Sequence, residues 1–457
     1  MKNSPSGLTT GSIPRTLFFF SLPILMGNVM QTLNGSINSI WVGKYLGEAA
    51  LSATANGNTV IFLLLGSVFG MTMASTILIA QFVGARNLDM ARRVVGTSAS
   101  FFLILAILFA SIGSVLAEPI LRAMQTPQES LAMAVSYMRV LFLALPVSYF
   151  YFYVIAALRG AGDSRTPFIY LILSVLLDIA LNPVFIFGLG IAPVMGVAGS
   201  AVATVIAQVV SLAGLMLHIY RGKNPLVLRR ADLHLLRPDL AIVKTMVMKG
   251  LPMGAQMIVM SGSLAATYGL VNLYGSHTTA AFAAAMQIWS YIQMPSLALS
   301  AGVSSMAAQN IGADRWDRVG AIARYGLLFN FLLGGAAILL LYIFSRPTLG
   351  LFLPPGTPAL GIAQHINNIV LWSYLLFGMS MVLSGVVRAA GAVMAPLIVL
   401  FVSLWLVRIP MSWALMSTWQ ADGIWWSISA SSVVALLLTG VYYLRGNWRK
   451  ARMLPAG

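Results

Sequence analysis

The sequence predicts an all-α integral membrane protein of about twelve transmembrane helices, arranged as two parallel six-helix repeats. Composition is the first observation behind this class: of 457 residues, 59% are hydrophobic and 8% are charged, and the mean hydropathy is +0.88. Soluble domains carry about 25% charged residues. Cysteine is absent, which excludes a disulfide framework and a thiolate metal site. The chain is therefore expected to lie in a lipid bilayer.

The second observation is a series of apolar runs, each of roughly 20 residues or more and so long enough to cross a bilayer. The N-terminal segment "MKNSPSGLTTGSIPRTLFFFSLP" lacks a small-residue cleavage site, so we expect the first span to be retained. The predicted spans lie near residues 14–41, 51–83, 93–116, 132–157, 165–188, 196–219, 243–273, 277–309, 321–345, 361–387, 394–418 and 423–444.

The placement of lysine and arginine predicts the orientation of these spans. With the N-terminus in the cytoplasm, 22 of the 27 basic residues fall at the inner ends of the spans. Three fall outside, namely Lys44, Arg122 and Arg346. This positive-inside bias predicts that both termini are cytoplasmic. It also accounts for the net charge of +16 without a nucleic-acid partner.

The third observation is internal repetition, because three separated motifs recur in the same order at one spacing. The recurring pairs are Pro23 and Pro252, Gln81 and Gln309, and Arg159 and Arg388, which lie 229, 228 and 229 residues apart. We therefore predict an N-terminal six-helix bundle over residues 1–220, a cytoplasmic linker over 221–243 and a C-terminal six-helix bundle over 244–457.

An even number of spans in each repeat gives both repeats the same orientation in the membrane. Such parallel repeats are related by a pseudo-two-fold axis along the membrane normal. In transporters of this architecture, substrate and ion sites lie near the midplane. The span count therefore predicts a transporter.

Several motifs resemble those of one transporter family. They are the "LP" that opens each repeat, "ALRGAGDSRTP" closing span four, "LNPVFIFGLG" in span five and "GVAGSAVAT" opening span six. Together they resemble the MATE (multidrug and toxic compound extrusion) family over nearly the whole chain. The resemblance implies a V-shaped pair of six-helix bundles. It further implies a cation-coupled antiporter that exports drug-like organic cations across the bacterial cytoplasmic (inner) membrane.

Asp178 is the one acidic residue that falls within a predicted span, since the other ten lie in loops. An ionisable group inside a membrane span is costly and usually lines a cavity or a proton pathway. The alternative is a structural role, as an acid at a helix end or in a bond with Arg139 or Arg159. We favour the functional interpretation and expect Asp178 to carry ion coupling.

Three further residues complete the predicted coupling site. Asn182 lies four residues after Asp178 and therefore shares its helix face, and the following Pro183 removes a backbone donor near that face. Asn38 lies on the first span, and Thr204 lies in the motif that opens span six. The predicted proton or cation coupling set is thus Asp178, Asn182, Asn38 and Thr204.

The coupling set departs from the family pattern. In the branch with acids in the N-terminal repeat, the first span carries an Asp where Asn38 stands in this chain. That branch has Asn and then Asp four residues apart in span five, whereas this chain has Asp178 and then Asn182. Hard cations need several oxygen ligands, whereas a proton needs one titrating group. We therefore favour H⁺ as the coupling ion and leave Na⁺ open.

The predicted substrate cavity draws on both repeats. The polar stripe of the first span also suits interhelical hydrogen bonding. Arg408, in the middle of a span, either bonds backbone carbonyls or favours anionic or zwitterionic substrates. Tryptophans near span interiors can stack on planar or cationic ligands. The candidates are Gln31, Asn34, Tyr153, Gln256, Gln287, Trp289, Trp372 and Arg408.

Two other classes of protein compete with the transporter prediction. A lipid or lipid-linked-sugar flippase of a related fold should hold several cavity cations for phosphates, and Arg139 and Arg408 are the two candidates. An intramembrane enzyme should carry a motif such as H-E-x-x-H or G-x-S-x-G, and neither occurs. We expect no enzymatic activity, no metal site and no cofactor beyond the coupling ion. We further expect a monomer whose partners are small organic substrates and lipid.

Overall fold

The computed structural model describes residues 7–190, 193–222, 224–354 and 356–453, apart from the side chains of residues 63, 65 and 67. Across these residues the chain is helical and contains no β-strand. The long helices are α1 Ile13–Leu46, α2 Glu48–Gly84, α3 Leu88–Ala123, α4 Gln128–Gly160, α5 Arg165–Phe187, α6 Val197–Arg221, α7 Leu240–Asn272, α8 Ser276–Gly312, α9 Trp316–Ile343, α10 Pro358–Ala389, α11 Met394–Trp419 and α12 Asp422–Arg445. Short helical turns occupy Arg230–Leu236, Ser345–Leu349 and Asn447–Lys450. Each predicted span falls in one long helix, so the all-α prediction is confirmed.

Nine long helices in the described part of the chain have the length and apolar composition needed to cross a membrane. The other three long helices are α2, α7 and α8. Within α2, the segment Val68–Gly84 is a shorter apolar helix. The helices therefore support the prediction of a multi-pass membrane protein.

The backbone repeats with the spacing seen in the sequence. Helices α2 and α8 have 37 residues each and begin just after the corresponding glycines Gly47 and Gly275, which have φ values of 86° and 88°. The loops that follow these helices contain Arg86 and Asp314, with φ values of 58° and 56°. A positive φ is uncommon for residues other than glycine. Its recurrence at matching positions shows that the two repeats share a backbone conformation.

The described residues form two compact units. One unit is Met26–Gly250, and the other combines Gly7–Leu25 with the described residues from Leu251 onward. This division differs from the sequence division in two places. The first part of α1 belongs with the C-terminal repeat, and the linker with the start of α7 belongs with the N-terminal repeat.

Hydrogen bonds explain why the segment before residue 26 groups with the second unit. Asn310 donates from Nδ2 to the backbone oxygen of Leu8 at 3.1 Å, and Arg315 donates to that of Thr9 at 2.9 Å. In α1, the Ser21 hydroxyl occupies the space where a Cβ at Gly302 would lie. Close backbone approach and satisfied backbone acceptors thus attach this segment to α8 and to the loop that follows it.

The linker is attached to α3 in the same manner. Arg92 donates from Nε to the backbone oxygen of Pro225 at 2.6 Å, and the Ser100 hydroxyl donates to that of Leu236 at 2.6 Å. Gly96 lies so close to the Leu235 carbonyl that a Cβ would clash with it. The linker therefore packs against the first unit instead of extending into solvent.

Candidate functional site

Asp178 lies deep within the first unit, on the buried face of α5. The exposed fraction is 1% for Asp178 and 0% for Asn182. The two residues are one helical turn apart and face the same side. Helix α5 is continuous from Arg165 to Phe187 even though Pro183 lies inside it. The carboxylate and the amide are therefore held on a regular helix.

Four neutral side chains donate hydrogen bonds to the Asp178 carboxylate. Oδ2 accepts from Nδ2 of Asn34 at 2.7 Å and from Nδ2 of Asn38 at 2.9 Å, both on α1. Oδ1 accepts from the hydroxyl of Thr204 on α6 at 2.9 Å and from Nδ2 of Asn182 at 3.2 Å. The structure thus brings together the four predicted coupling residues and adds Asn34 to them.

The surrounding contacts fix the orientation of the amides. The Nδ2 atom of Asn182 also lies 2.9 Å from the backbone oxygen of Asp178, a contact that requires a donor. The same Nδ2 lies 2.9 Å from Oδ1 of Asn38, which leaves Nδ2 of Asn38 to face the carboxylate. The amide nitrogens around Asp178 therefore point toward it, as they should around a negative charge.

Asp178 has no cationic partner among the described residues. Arg139, one candidate partner, has an exposed side chain. The ion pairs found in the described part of the chain are Arg93 with Asp239, Arg122 with Glu118 and His365 with Asp422. The structure therefore gives no support to an ion pair as the role of Asp178.

Two buried oxygens beside the carboxylate accept no hydrogen bond from the described residues. They are Oδ1 of Asn34 and Oδ1 of Asn182. An unsatisfied buried acceptor costs about 1–3 kcal/mol. These atoms can accept a hydrogen bond from a protonated carboxyl group or from water, or ligate a cation.

Close packing of α6 on α5 places Thr204 within reach of Asp178. A Cβ at Gly199 would clash with the backbone oxygen of Phe185. Small residues let membrane helices approach closely, and at position 199 the approach leaves no room even for the Cβ of alanine. Gly199 lies about one and a half turns before Thr204 on α6, so the same contact fixes the position of the Thr204 hydroxyl.

Apolar side chains close the first unit one turn beyond Asn38. Val42, four residues further along α1, is 2% exposed and belongs to a buried cluster. The cluster also includes residues of α6 that precede Thr204. Its members are Val42, Ala50, Tyr137, Val197 and Ala201. Water reaching Asp178 through this end of the unit would have to displace these side chains.

Sequence reasoning missed Tyr137 and Asn58. The Tyr137 hydroxyl donates to Oδ1 of Asn58 at 3.0 Å, and Tyr137 lies within electrostatic range of Asp178. Both residues sit in segments of ordinary helix composition. No local pattern distinguishes them, and their hydrogen bond depends on how α2 packs against α4.

The predicted cavity residues of the first unit occupy different environments. Asn34 belongs to the Asp178 network, and Gln31 is exposed. Tyr153 is buried, and its hydroxyl donates to the backbone oxygen of Val95 at 2.8 Å. It lines a separate apolar cavity between α3, α4, α6 and the linker.

The predicted cavity residues of the second unit also divide into groups. Gln256 accepts a hydrogen bond from Nη1 of the buried Arg388 at 3.2 Å, while Gln287 and Trp372 are exposed. Trp289 and Arg408 line one cavity of about 80 Å³. Other side chains in its wall include Met260, Phe282, Met286 and Tyr374.

Arg408 ends a π-helical segment, Val402–Arg408, within α11. Such segments occur frequently at functional sites. Its Nε donates to the Ser431 hydroxyl at 3.0 Å, and its two terminal nitrogens make no hydrogen bond to the described residues. The guanidinium group can therefore donate to a ligand in the cavity, beside the ring of Trp289.

The Asp178 network is the place in the first unit where oxygen atoms could receive a cation. Among the described residues there is no group of three or more His, Cys, Asp or Glu side chains suited to a metal ion. The network offers one carboxylate together with amide and hydroxyl oxygens. Such a set can bind a proton, or a hard cation if the amides turn their oxygens inward.

Comparisons with known proteins agree with the fold and the repeats. A family model described as MatE matches residues 23–184 and 252–414, once in each repeat. "Probable multidrug resistance protein YoeA" of Bacillus subtilis (strain 168) is 37% identical over 444 residues, which cover 97% of this chain and 96% of that protein. "Probable multidrug resistance protein YpnP" of the same strain is 31% identical over 448 residues, with 97% and 98% covered.

A solved structure described as "Crystal structure of MATE in complex with MaD3S" has the same fold. It matches with a TM-score of 0.89 and 21% identity, and the match covers 98% of this chain and 100% of that one. The family model covers both repeats, and two relatives match nearly the whole chain. The chain therefore belongs to the MatE family of multi-pass membrane transporters and is not an enzyme.

Proposed function

We propose that this protein is a cation-coupled antiporter that exports small organic compounds across the bacterial cytoplasmic membrane by alternating access. Its relatives named multidrug resistance proteins support the export of drug-like compounds. The observation that carries the coupling is the buried Asp178 carboxylate, which accepts hydrogen bonds from neutral donors and has no cationic partner among the described residues.

A lone carboxylate inside a membrane protein is suited to binding and releasing a coupling cation. When ionised it places an uncompensated negative charge in a membrane-spanning segment, which is costly. Binding one cation neutralises that charge and alters the free energy of the surrounding unit. One coupling ion bound or released per cycle can therefore favour one conformation over another.

The geometry favours a proton over Na⁺. The amide groups of Asn34, Asn38 and Asn182 direct nitrogens toward Asp178, whereas a sodium ion needs oxygen ligands. A proton requires a smaller rearrangement. It converts one carboxylate oxygen from an acceptor into a donor, and a neighbouring group has to turn its acceptor toward it.

Thr204 can make that change by rotation of its hydroxyl. The hydroxyl oxygen lies 2.9 Å from Oδ1 of Asp178 and 3.1 Å from the backbone oxygen of Ser200. Its single hydrogen can satisfy one of these acceptors at a time. When Asp178 is ionised, Thr204 donates to the carboxylate. When Asp178 is protonated, Thr204 donates to the backbone oxygen of Ser200 and accepts a hydrogen bond from the O–H group of Asp178.

The substrate contacts are proposed to include the cavity of the second unit. Phe282, Trp289 and Tyr374 give it flat apolar walls for a planar molecule, and Met260 and Met286 can adjust to different shapes. Arg408 offers donors to an acceptor group on the substrate. The family resemblance implies that the transported compounds are cationic overall, and we retain that as part of the proposal.

The remaining features of the proposal concern the protein in the cell. We propose cytoplasmic positions for both termini on the basis of the basic residues at the inner ends of the spans. We further propose that the monomer is the transporting species, because each predicted coupling residue lies in the same unit of one chain.

Transport by purified protein in inside-out vesicles tests the function. A fluorescent organic cation such as ethidium should accumulate in the lumen when the lumen is acidic. A sodium gradient alone should not drive accumulation. Asp178→Asn should reduce the gradient-driven rate at least tenfold, whereas Asp422→Asn, in an exposed pair with His365, should transport normally.

Two results would contradict the proposal. Wild-type rates in Asp178→Asn would remove this carboxylate from coupling. Accumulation driven by sodium and unaffected by the pH gradient would replace the proton with Na⁺. Equal expression and melting temperature of both variants must be shown, so that loss of transport is not loss of folded protein.

A further inference from the structure

The first unit also contains an apolar cavity, whose lining differs from the polar side chains around Asp178. Its volume is about 350 Å³, and it lies between α3, α4, α6 and the linker. The wall is built mainly of aliphatic and aromatic side chains, among them Leu103, Phe150, Val154, Ile219 and Leu236. The proposed export mechanism does not use this cavity.

The polar side chains in the wall are satisfied within the protein. The hydroxyl of Tyr220 donates to the backbone oxygen of Leu228 at 2.8 Å, and that of Tyr153 donates to Val95. The Ser100 hydroxyl donates to the backbone of the linker at Leu236. The cavity therefore offers a ligand a hydrocarbon surface and few free hydrogen-bonding groups.

The cavity begins where the linker leaves the bundle and extends along the helices. Its wall follows α3 from Val95 to Leu103, a distance of about 12 Å at the rise of an α-helix. Leu233 of the linker is 59% exposed at its edge. An apolar chain can thus enter from the linker end and lie along α3, as a lipid tail lies in a bilayer.

Exposed arginines adjoin, along the chain, residues that line this cavity: Arg221 follows Tyr220, Arg229 and Arg230 follow Leu228, and Arg237 follows Leu236. In the described part of the linker and the last residue of α6, the guanidinium groups of four arginines form no ion pair. Of the two acids of this segment, Asp239 is paired with Arg93, and Asp232 accepts a hydrogen bond from the backbone N–H of Arg229 and keeps its charge. The four arginines are Arg221, Arg229, Arg230 and Arg237. Four arginines against one unpaired acid give this segment a net positive charge, and the segment includes residues that line the apolar cavity.

We propose that this cavity is a binding site for an anionic phospholipid. One acyl chain occupies the apolar cavity, and the phosphate group lies against the arginines of the linker. Arginines near a membrane surface attract anionic lipids. A neutral lipid can fill the cavity but offers the arginines no negative charge. A soluble phosphate can pair with the arginines but leaves the cavity empty. The anionic lipid is the occupant that satisfies both.

Lipid binding to the purified full chain tests this site without any transport measurement. Phosphatidylglycerol and phosphatidylcholine with identical acyl chains are titrated onto detergent-solubilised protein, and the bound lipid is counted by native mass spectrometry. Phosphatidylglycerol should bind at least tenfold more tightly. The double variant Arg229→Gln with Arg230→Gln should reduce its affinity about tenfold or more and should leave phosphatidylcholine binding unchanged.

A second variant tests the position of the acyl chain. Ala99 lines the cavity, and Ala99→Phe should reduce the binding of both lipids by filling it. Ala132→Phe, at an exposed alanine of α4, is the matched control. Arg445→Gln with Lys450→Gln, at exposed residues of the second unit, controls for loss of two charges. Melting temperatures without lipid establish that the variants fold.

Each alternative occupant has its own outcome, and each would overturn the proposal. If the two lipids bound with equal affinity, and Arg229→Gln with Arg230→Gln changed neither affinity, the occupant would be a lipid chosen without regard to charge. Lipid binding unaffected by Ala99→Phe would place the lipid elsewhere. If inorganic phosphate displaced bound lipid as effectively as phosphatidylglycerol does, the site would consist of the arginines alone. If Ala99→Phe weakened the binding of ethidium and left lipid binding unchanged, the cavity would be a substrate site.

Discussion

Asn38 donates a hydrogen bond from Nδ2 to Oδ2 of Asp178 at 2.9 Å, although the two residues are 140 positions apart in the chain. The family pattern leads one to expect a second acid at the position of Asn38. In this protein an amide there stabilises the charge of Asp178. The network is therefore built around one carboxylate, and the predictions below follow from that arrangement.

Conversion of Asn38 to aspartate should create a sodium site. Asn38→Asp places two carboxylates in direct contact, and their repulsion is relieved by a bound cation or by a shared proton. We expect Na⁺ to raise the melting temperature of Asn38→Asp and to have no effect on the wild-type protein. Thermal melting in NaCl and in choline chloride measures this. Stabilisation by Na⁺ in the wild-type protein as well would contradict the one-carboxylate argument.

The carboxylate should tolerate a move of one helical turn. Asp178→Asn combined with Asn182→Asp transfers the acid by about 5.4 Å along α5. We expect partial recovery of the export lost in Asp178→Asn, because Asn38 contacts both positions and no cationic partner is left behind. Export by the single and double variants is compared in the same vesicles.

A different result would show that the two positions are not equivalent. A well-expressed double variant as inactive as Asp178→Asn would show that the position of the acid, and not its presence, controls coupling. An unstable double variant would point instead to an unrecognised fixed partner of Asp178, because removal of one member of a buried charge pair is strongly destabilising.

Gly199 should be intolerant of even the smallest side chain. Gly199→Ala introduces a Cβ that clashes with the backbone oxygen of Phe185, so α6 must move away from α5. Overpacking of this kind costs about 1–3 kcal/mol. We expect a lower melting temperature together with slower export, since the Thr204 hydroxyl moves with α6.

A matched glycine separates this effect from helix propensity. Gly269 lies inside α7, and nothing lies within 4 Å of a Cβ built there. Gly269→Ala should leave the melting temperature unchanged or raise it slightly. If both variants melt at the wild-type temperature, the close approach of α5 and α6 is not a constraint on the fold.

The linker should loosen in acid. Arg93 donates to Oδ2 of Asp239 at 2.8 Å and holds the pKa of that carboxyl below its usual value. The unfolded reference is about 3.9. A lowered folded pKa stabilises the docked linker above that reference, and the contribution is lost as the pH falls through the folded pKa. The pair is partly exposed, so its effect should be below about 1 kcal/mol.

Hydrogen exchange of linker amides measures this pH dependence. After correction for intrinsic rates, protection of residues 230–240 should fall below about pH 4 in the wild-type protein. Asp239→Asn should show the lower protection throughout and no such step. A step of equal size in Asp239→Asn would assign the titration to another group.

The charge bias of the loops gives a prediction of topology. Reporters fused at Arg230 in the linker and at the C-terminus should both be cytoplasmic, and one at His277, exposed at the start of α8, should be external. Accessibility of the three positions to a membrane-impermeant reagent provides the measurement. An external Arg230 together with a cytoplasmic His277 would reverse the orientation inferred from the basic residues.

The sequence by itself determined the class of fold, the number of long helices and the repeat. These depend on local properties, since apolar runs specify helices in a bilayer and motifs 228 or 229 residues apart specify duplication. It also identified Asp178 as unusual, because a carboxylate in an apolar run is visible without a structure. The helix period alone placed Asn182 on the same face of its helix as Asp178.

The tertiary structure decided which side chains meet. Asn34 and Gln31 belong to the same polar stripe of α1, yet one donates to Asp178 and the other is exposed, because the rotation of α1 against α5 selects between them. The linker contains no apolar run, yet its backbone binds to α3 and closes a cavity. Contacts between distant segments depend on helix rotation and close approach at single glycines such as Gly199, and neither property is written in local composition.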